Sequence, residues 1–253
     1  FRAFYALSPD SFMTPNGQHT NAVHGFISMM LNILQAEQPS HMAVAFDLSR
    51  SSFRTDEYPA YKGTRGETPP EFNGQTELLT EALAAMNIVT ITKVNYEADD
   101  VIGTLAWQAA DMGYEVYMVT PDKDYGQLLV KENVYMWKPP AFGNEREILD
   151  AEKIKAKWDI ARVDQVIDML GLMGDAADNI PGIPGVGEKT AAKLLKEYDT
   201  LEGVLANADK IKGAMGEKVR AGKESAIMSK KLATIITNVP VQFHEEDYRL
   251  SEK

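Results

Sequence analysis

The chain has 253 residues, a formal net charge of −11 and 44% apolar residues, enough to bury one large core or two smaller ones. It has no cysteine, which excludes disulfides and thiolate metal sites, and its four histidines show no zinc-type HxxxH or HxH spacing. Any metal site must therefore use oxygen ligands. No apolar run approaches the roughly 18 residues of a membrane span, and no signal peptide is visible. We expect a soluble cytoplasmic protein without a membrane partner.

The acidic total does not exclude a nucleic-acid partner, because the charges are unevenly distributed. Acids that bind metal ions are neutralised by them and then do not repel DNA. Between Glu188 and Lys231 there are ten Lys and Arg residues against seven Asp and Glu residues. A second basic group consists of Arg50, Arg54, Lys62 and Arg65. The net charge therefore does not exclude DNA as a partner.

The first predicted elements are a helix fragment and a strand. The chain begins with Phe1-Arg-Ala-Phe-Tyr-Ala-Leu, which resembles the middle of a helix, since it has neither an initiator Met nor an N-cap. We therefore expect that residues precede it. Met42–Phe46 is a predicted strand that ends in Asp47. Residues 49–74 then form a long polar insertion with Gly, Pro and interleaved aromatics, a kind of segment that is usually functional or mobile.

Three more strands follow, and two of them lead into acidic residues. Asn87–Thr92 runs through a short turn into a helix whose first turn carries three acids. Glu115–Thr120 ends in a Pro and a pair of acids, and Val134–Trp137 is the fourth strand. Short apolar runs that alternate with amphipathic stretches predict an α/β fold with a mainly parallel central sheet.

From about Ala151 the chain changes to helices joined by short turns that contain Gly and Pro. The run from Asp164 to Met173 is apolar at helical spacing, and a second helix is predicted from Lys189 to Glu197. We therefore predict two domains. An α/β core spans 1–150 and contains the insertion at about 49–74, and a helical subdomain spans 151–253, with a helix-hairpin-helix at about 174–197.

Acidic residues lie at or just beyond the C-terminal ends of three predicted strands. Such ends line one crevice in an open parallel sheet, so acids that are distant in sequence converge there. Crowded carboxylates repel one another unless cations lie among them, and oxygen-only ligation is typical of Mg²⁺ or Mn²⁺. Two such ions can activate water and stabilise a leaving oxygen in phosphoryl transfer. Six candidate ligands follow these strands: Asp47, Glu97, Asp99, Asp100, Asp122 and Asp124. Asp175 and Asp178, at one-turn spacing, add a seventh and an eighth from the helical part. A single Asp after a strand is as often a helix N-cap, but three equivalent groups favour a metal centre.

The segment after the last acid pair is typical of a DNA-binding hairpin. Its glycines permit a tight reversal and let a phosphate approach the backbone, and the helix that follows presents free N–H groups. Such contacts fix position on a duplex without reading bases. The candidate residues are Gly182, Gly185, Gly187, Lys189, Thr190, Lys193 and Lys196. An ordinary turn between two helices is the alternative.

The insertion interleaves aromatic and basic residues, a combination that suits single-stranded nucleic acid. Bases stack on the rings, and phosphates contact the cations. The candidates are Arg54, Tyr61, Lys62 and Arg65, with Arg2 as a further phosphate ligand. A solvated loop with anchoring aromatics is the alternative. Trp107 and Trp137 are predicted to be core residues.

Together these motifs resemble the 5′ nuclease (flap endonuclease) superfamily, and within it the N-terminal 5′→3′ exonuclease domains of bacterial DNA polymerase I. The resemblance extends over nearly the whole chain in the family's order. The matching residues are Phe1-Arg-Ala-Phe-Tyr, Ala45-Phe-Asp47, Phe53-Arg54, Tyr61-Lys-Gly-Thr-Arg65, Glu97-Ala-Asp-Asp-Val-Ile-Gly103, Asp122-Lys-Asp124 and Gly174-Asp-Ala-Ala-Asp-Asn-Ile-Pro-Gly-Ile-Pro-Gly-Val-Gly-Glu-Lys-Thr-Ala191.

The resemblance implies a role for each group. Asp47, Glu97 and Asp99 would bind the first of two or more Mg²⁺ or Mn²⁺ ions, with Asp100 in or near that shell. The second-metal group would be Asp122, Asp124, Asp175 and Asp178. Lys62 and Arg65 would contact the scissile phosphate or the 5′ strand, with Arg2 near the site. The hairpin would bind duplex DNA, with a K⁺ ion held by its backbone carbonyls.

The chain departs from the family pattern at two places. The family begins with a strand that bears another ligand Asp, which is absent from this sequence, and Pro121 stands where Gly is common. The implied function is metal-dependent 5′→3′ exonuclease and flap endonuclease cleavage of branched or nicked DNA, including RNA primer ends, in primer removal and repair. The protein would be a monomer, with a polymerase domain following in a longer chain.

Two other functions stay open at this point. One is a non-catalytic DNA-junction binding module with a degenerate metal site. The other is an RNA-directed nuclease of the related PIN-like fold, and the hairpin counts against it because such proteins usually lack one.

Overall fold

The structure is a computed structural model that describes residues 2–140 and 145–251. Phe1 of the opening motif lies outside the described residues. The described α-helices are α1 (Arg2–Ala6), α2 (Asn21–Glu37), α3 (Phe53–Glu57), α4 (Gln75–Ala85), α5 (Ala98–Asp111), α6 (Ala151–Trp158), α7 (Gln165–Met173), α8 (Glu188–Tyr198), α9 (Leu201–Ala206), α10 (Gly213–Ala221), α11 (Lys223–Ala233) and α12 (Glu245–Tyr248). The described strands are β1 (Ala43–Ala45), β2 (Val89–Ile91), β3 (Val116–Val119), β4 (Val134–Lys138) and β5 (Glu147–Leu149). Short 3-10 helices occupy Pro9–Ser11, Pro70–Phe72, Lys123–Leu128, Ala176–Asp178 and Ala208–Lys210.

The described residues divide into two compact units. The first draws on Phe1–Phe46, Gly66–Thr92 and Phe243–Lys253, and the second on Asp47–Arg65 and Lys93–Gln242. All eight predicted acids therefore belong to the second unit, whereas Arg2 belongs to the first. No helix of either unit, within residues 2–140 and 145–251, combines the length and apolar character needed to cross a bilayer.

The first unit is built around a parallel strand pair. β1 pairs with β2 in the register Val44 to Thr90. Apolar side chains of α2, α4 and β1, with one residue just before β2, form its core, which comprises Met30, Val44, Leu79, Leu83 and Ile88. The 17-residue helix α2 begins at Asn21, whose buried side chain donates to the carbonyl oxygens of Phe4 and Leu7 at 2.8 and 3.1 Å. This contact fixes α1 against the start of α2.

The second unit contains a three-stranded sheet and most of the helices. β3 pairs in parallel with β4, and β4 pairs antiparallel with β5. The core is continuous from the sheet into helix α7, which packs against α8 and α11. Trp137 is buried in this core, and Trp107 packs half-buried against it while its Nε1 donates to the Leu128 carbonyl at 3.0 Å. The expectation that both tryptophans are core residues is confirmed.

The predicted α/β class with mainly parallel strands is confirmed, since two of the three described strand pairings are parallel. All four predicted strands are present, within one or two residues of the expected ends. β5 was not predicted, because three residues are too few to show a periodic pattern. The predicted division into domains at residues 150 and 151 stays a prediction.

Two segments are more ordered than the sequence suggested. Within the insertion, the five-residue helix α3 is capped by Ser52, whose hydroxyl accepts from the Arg54 N–H at 3.2 Å. The sequence from Val239 to Leu250 predicts an extended or loop-like stretch, and this is wrong for Glu245–Tyr248, which form α12. Acids fill the first turn of that short helix, where they complement its dipole.

Candidate active site

The first group of acids lies at the N-terminus of α5. Glu97, Asp99 and Asp100 each offer a carboxylate oxygen, and these oxygens lie within 4.8 Å of one another. Carboxylates are favourable here because the free N–H groups of a helix N-terminus attract negative charge. Asp47 lies just outside this group, and its Oδ1 accepts the Ala98 N–H at 2.8 Å. We call Glu97, Asp99 and Asp100 the first acid cluster.

A second group of acids comes from two loops. Asp124, Asp175 and Asp178 place carboxylate oxygens within 4.8 Å of one another. Asp122 lies outside this group, but its Oδ1 accepts the Asp124 N–H at 3.0 Å and so fixes the turn that presents Asp124. We call Asp124, Asp175 and Asp178 the second acid cluster. The structure thus brings six of the eight predicted ligands into two groups and places the other two beside them.

The turn that carries the last two acids requires unusual backbone angles. Asp175 and Ile180 exchange backbone hydrogen bonds at 2.9 and 2.8 Å, which closes a tight loop over Ala176–Asp178. Asn179 ends this loop in the left-handed region with φ +55°, and Gly174 precedes it with φ +73°. A Cβ on Gly174 would lie 2.8 Å from the Gly182 nitrogen, so a side chain is excluded there.

Each cluster contains a buried carboxylate oxygen that accepts no hydrogen bond from the described residues. Within the described part of the chain, neither Asp99 Oδ1 nor Asp124 Oδ1 accepts a hydrogen bond. Burial, and then the charge of Glu97, raises the pKa of Asp99 to about 7. Burial, and then the charge of Asp122, raises the pKa of Asp124 to about 8. Because a buried ionised oxygen without a partner is costly, both clusters fit a bound cation, and the all-oxygen donor set fits a hard divalent one.

Two basic residues of the insertion contact the acid clusters, and one of them contacts both. The Lys62 ammonium forms an ion pair with Glu97, and its backbone N–H donates to the Asp178 carbonyl at 2.8 Å. Arg65 forms an ion pair with the Asp178 carboxylate. Burial opposes protonation of Lys62, but the negative charges of Glu97, Asp178 and Asp99 together outweigh it, so the pKa of Lys62 is raised. Both side chains thus lie beside the acids, and their contact with the scissile phosphate or the 5′ strand stays a prediction.

Sequence reasoning missed a third cation, Lys123. Its Nζ lies 3.8 Å from Asp124 Oδ1 and 3.8 Å from Asp175 Oδ2, and 5.5 Å from the ring centre of Trp158. The available signal was its position between two predicted ligands, Asp122 and Asp124. A lysine between these two residues necessarily lies close to the second acid cluster.

Two predicted DNA-contacting residues are instead interior. Arg54 is 1% exposed and donates to Glu97 at 2.5 Å, and Tyr61 is 5% exposed with its hydroxyl 3.2 Å from both Glu97 oxygens. Neither side chain is therefore placed to contact a nucleic acid directly in this structure, contrary to their assignment as DNA-contacting residues. Basic and aromatic residues in a polar segment suggest a surface, but here the acids of α5 supply interior partners for both. Arg2, in α1, lies outside the unit that carries the acids, and its role stays a prediction.

The hairpin before α8 divides into a buried and an exposed part. Gly182 is buried with φ +60°; its N–H donates to Ser229 Oγ at 2.8 Å, and its carbonyl accepts from Ser225 Oγ at 2.6 Å. Its backbone therefore faces α11 and not a ligand, which corrects its assignment as a contact residue. Gly185 and Gly187 are exposed, and so are Lys189 and Lys193 on α8, while Thr190 is half-buried.

Comparison with known proteins agrees with this arrangement. A family model described as the 5′-3′ exonuclease N-terminal resolvase-like domain matches residues 1–159, which is more than half of the chain. The chain belongs to the 5′-3′ exonuclease family. A second model, the C-terminal SAM fold of the 5′-3′ exonuclease, matches residues 161–253. The enzyme class expected from the sequence is thereby confirmed.

Relatives and a solved structure extend the comparison. This 5′-3′ exonuclease chain is 44% identical over 248 residues to DNA polymerase I of Bacillus caldotenax, covering 98% of the chain and 28% of that protein. It is 42% identical over 250 residues to DNA polymerase I of Mycobacterium tuberculosis, covering 99% and 27%. The chain thus spans about a quarter of the length of these relatives. A structure of T5 5′-exonuclease with bound divalent zinc ions matches with a TM-score of 0.71 at 22% identity, covering 83% of this chain and 80% of that one, which shows the shared fold.

Proposed function

We propose that this chain is a metal-dependent 5′→3′ exonuclease and flap endonuclease that hydrolyses phosphodiesters near the 5′ end of branched or nicked DNA. RNA primer ends belong to the same substrate class, which places the activity in primer removal and repair. The observation that carries the proposal is the pair of acid clusters, each with a buried carboxylate oxygen that accepts no hydrogen bond from the described residues. Membership in the 5′-3′ exonuclease family supports it independently.

Two or more Mg²⁺ or Mn²⁺ ions would be held by the acids. Glu97 and Asp99 would hold one ion, with Asp47 beside them at the start of α5. Asp124, Asp175 and Asp178 would hold another, with Asp122 supporting the turn. When bound, such ions lower the pKa of a water that attacks the phosphorus and stabilise the charge on the leaving oxygen.

The residues of the chain bind and orient the substrate. Lys62 and Arg65 pair with acid oxygens in the described structure, and with those acids neutralised both cations would be available to bind the scissile phosphate or the 5′ strand. Lys123 is placed to serve the same purpose at the second acid cluster. Arg2 is proposed as a further phosphate contact. Tyr61 and Arg54 act from the interior by holding Glu97.

The hairpin and the helical segment 151–253 would hold the duplex. The exposed backbone of Gly185 and Gly187 and the start of α8 suit phosphate contacts, with Lys189 and Lys193 adding charge. A K⁺ ion at the hairpin carbonyls belongs to the same proposal. The α/β segment 1–150 would carry the catalytic acids. Because the matched relatives are named DNA polymerase I and are longer, we also propose a polymerase domain in the complete protein, which would be monomeric and cytoplasmic.

The proposal is tested by cleavage of a 5′-flap DNA duplex with Mg²⁺ and with EDTA. We expect metal-dependent release of the flap, abolished by Asp178→Ala. Asp209→Asn is the matched control, since Asp209 is an exposed acid of the same unit outside both clusters. Cleavage that survives EDTA, or that Asp178→Ala leaves intact, would contradict the mechanism. Flap binding without any cleavage would instead support a non-catalytic junction-binding module.

A further inference from the structure

Arg54 is a buried charge whose hydrogen-bonding capacity is fully used. Its Nε donates to the Leu232 carbonyl at 2.8 Å, and its Nη2 donates to the Thr234 carbonyl at 2.8 Å and to Asp100 Oδ1 at 2.7 Å. Its Nη1 donates to Asp100 Oδ2 at 2.8 Å and to Glu97 Oε2 at 2.5 Å. A guanidinium has five N–H donors and does not lose its charge in proteins. Arg54 is therefore a permanent cation with no donor left for a phosphate.

The hydrogen-bond acceptor positions of the Asp100 carboxylate are also fully used. Its Oδ1 accepts from Arg54 and from the Ile236 N–H at 2.8 Å, and its Oδ2 accepts from Arg54 and from the Glu97 N–H at 3.0 Å. A carboxylate has about four acceptor positions, and all of them are occupied here. The residue is 0% exposed. A metal ion could bind Asp100 only by displacing one of these buried donors.

The other two acids of the first cluster are placed differently. Asp99 Oδ1 is buried without a partner among the described residues. Glu97 Oε1 contacts the Lys62 ammonium and the Tyr61 hydroxyl, and of these Lys62 is half-buried whereas Tyr61 is buried. Without the Lys62 ammonium, three ionised carboxylates and the Arg54 guanidinium carry two net negative charges, which one divalent ion would neutralise.

We propose that Arg54 and Asp100 form a positioning pair and that Asp100 is not a metal ligand. Asp100 fixes Arg54, Arg54 fixes Glu97 through Oε2, and Glu97 Oε1 and Asp99 are left to receive the ion. The pair also ties three separate segments together: the insertion at α3, the start of α5 and the end of α11 with the residues after it. This inference rests on the proposed function only in so far as the first acid cluster binds a divalent ion.

The test is Mn²⁺ binding by the purified protein without DNA, measured by calorimetry and by the electron paramagnetic resonance signal of free Mn²⁺. We expect Asp99→Asn to reduce the number of ions bound by one. Asp100→Asn and Arg54→Lys should keep that number and weaken affinity at one site by about 10- to 100-fold, as expected for groups that orient ligands. The double variant should be no weaker than the single ones, because both changes break the same contact.

A metal-ligand role for Asp100 would give a clearly different result in the same measurement. If Asp100 is a ligand, Asp100→Asn will lose one ion as Asp99→Asn does, and its effect will multiply with that of Arg54→Lys. Unchanged affinity in Arg54→Lys, which keeps every carboxylate, overturns the proposal even if Asp100→Asn fails to fold. Asp168→Asn is the control for a broken interior ion pair, since Asp168 is 3% exposed and bonded to Lys230 at 2.7 Å, apart from both clusters. Because no DNA is present, a failure of the nuclease proposal does not affect this measurement.

Discussion

The two acid clusters offer similar carboxylate oxygens but are built from different structural elements. The first stands on the N-terminus of a 14-residue helix and is held by the interior cation Arg54. The second is assembled from two short 3-10 turns, and its cations Lys123 and Arg65 are about half exposed, with side-chain exposures of 41% and 53%. The first cluster is therefore preorganised by a buried counter-charge, and the second by the geometry of its loops.

This difference has an energetic consequence. An interior ion pair in a low-dielectric setting is hardly screened by salt, whereas exposed pairs are weak and salt-dependent. Increasing ionic strength should thus loosen Arg65 and Lys123 and leave Arg54 in place. The second cluster is the part of the site where exposed cations, salt and substrate phosphate compete directly.

The largest expected effect is loss of a ligand from either cluster. Asp99→Asn and Asp124→Asn should each reduce kcat for flap cleavage by roughly 10²- to 10³-fold, because metal-ion catalysis contributes several kcal/mol. Single-turnover assays at saturating Mg²⁺ measure this. In the metal-free protein, Asp124→Asn should raise the Tm, since it removes a buried carboxylate whose Oδ1 accepts no hydrogen bond from the described residues. A variant that keeps most of its rate would show that its cluster is dispensable.

The next largest effect distinguishes the catalytic contributions of Lys62 and Lys123. Lys62→Met should lower kcat/KM by roughly 10²-fold, because this side chain contacts the first cluster while its backbone contacts the second. Lys123→Met should cost only about threefold, since its ammonium lies 3.8 Å from the nearest acid oxygens and is partly solvated. The measurement is steady-state cleavage at low and high salt. Equal losses for the two variants would contradict a dominant role of Lys62.

A third effect concerns pH. Protons and metal ions compete for the same oxygens, so Mn²⁺ affinity should rise by about tenfold per pH unit below the pKa of the group involved. The rise should end above about pH 7 for Asp99 and above about pH 8 for Asp124. Calorimetric titration between pH 5.5 and 8.5, a range chosen around these values, measures it. Affinity that does not change over this range would show that neither carboxylate binds a proton there.

The same shifts make a prediction for the metal-free protein. In the folded state these two carboxyls keep their protons up to about pH 7 and 8, whereas in the unfolded state they lose them near 3.8. The folded state therefore binds more protons in this window, and the free energy of unfolding falls as pH rises. Tm in EDTA should drop from pH 5 towards pH 8, and Asp99→Asn should flatten the lower part of that drop. A Tm that rises over the same range would contradict the assignment.

The comparison also shows what the sequence could reveal. Acids at strand ends converge because parallel strands end at one edge, and the glycines of the hairpin mark turns that only a few residue types allow. The convergence of the strand-end acids and the place of the hairpin were therefore predictable, whereas the division of the acids into two groups was implied only by the family resemblance. The burial of Arg54 was not, because its partners include the carbonyls of Leu232 and Thr234, about 180 positions away. The local sequence pattern indicates periodicity and turn-forming residues, whereas tertiary packing decides which groups become the partners of a buried charge.

The smallest predicted effect tests how the loops of the second cluster are held. The turn that carries Asp175 and Asp178 continues into Gly182, whose N–H donates to the fully buried Ser229 hydroxyl. Ser229→Ala leaves that N–H without an acceptor and should cost about 1–2 kcal/mol in the free energy of unfolding. Ser225→Ala is the matched control and should cost less, since Ser225 is half-buried and water can replace its hydroxyl at the Gly182 carbonyl. Denaturant unfolding measures the stability.

Mn²⁺ titration shows which ion is affected by Ser229→Ala. Because Ser229 supports only the loops, its loss should weaken Mn²⁺ binding at the second cluster a few-fold and leave binding at the first cluster, which Arg54 holds, unchanged. Equal weakening at both clusters would mean that the same contact supports both.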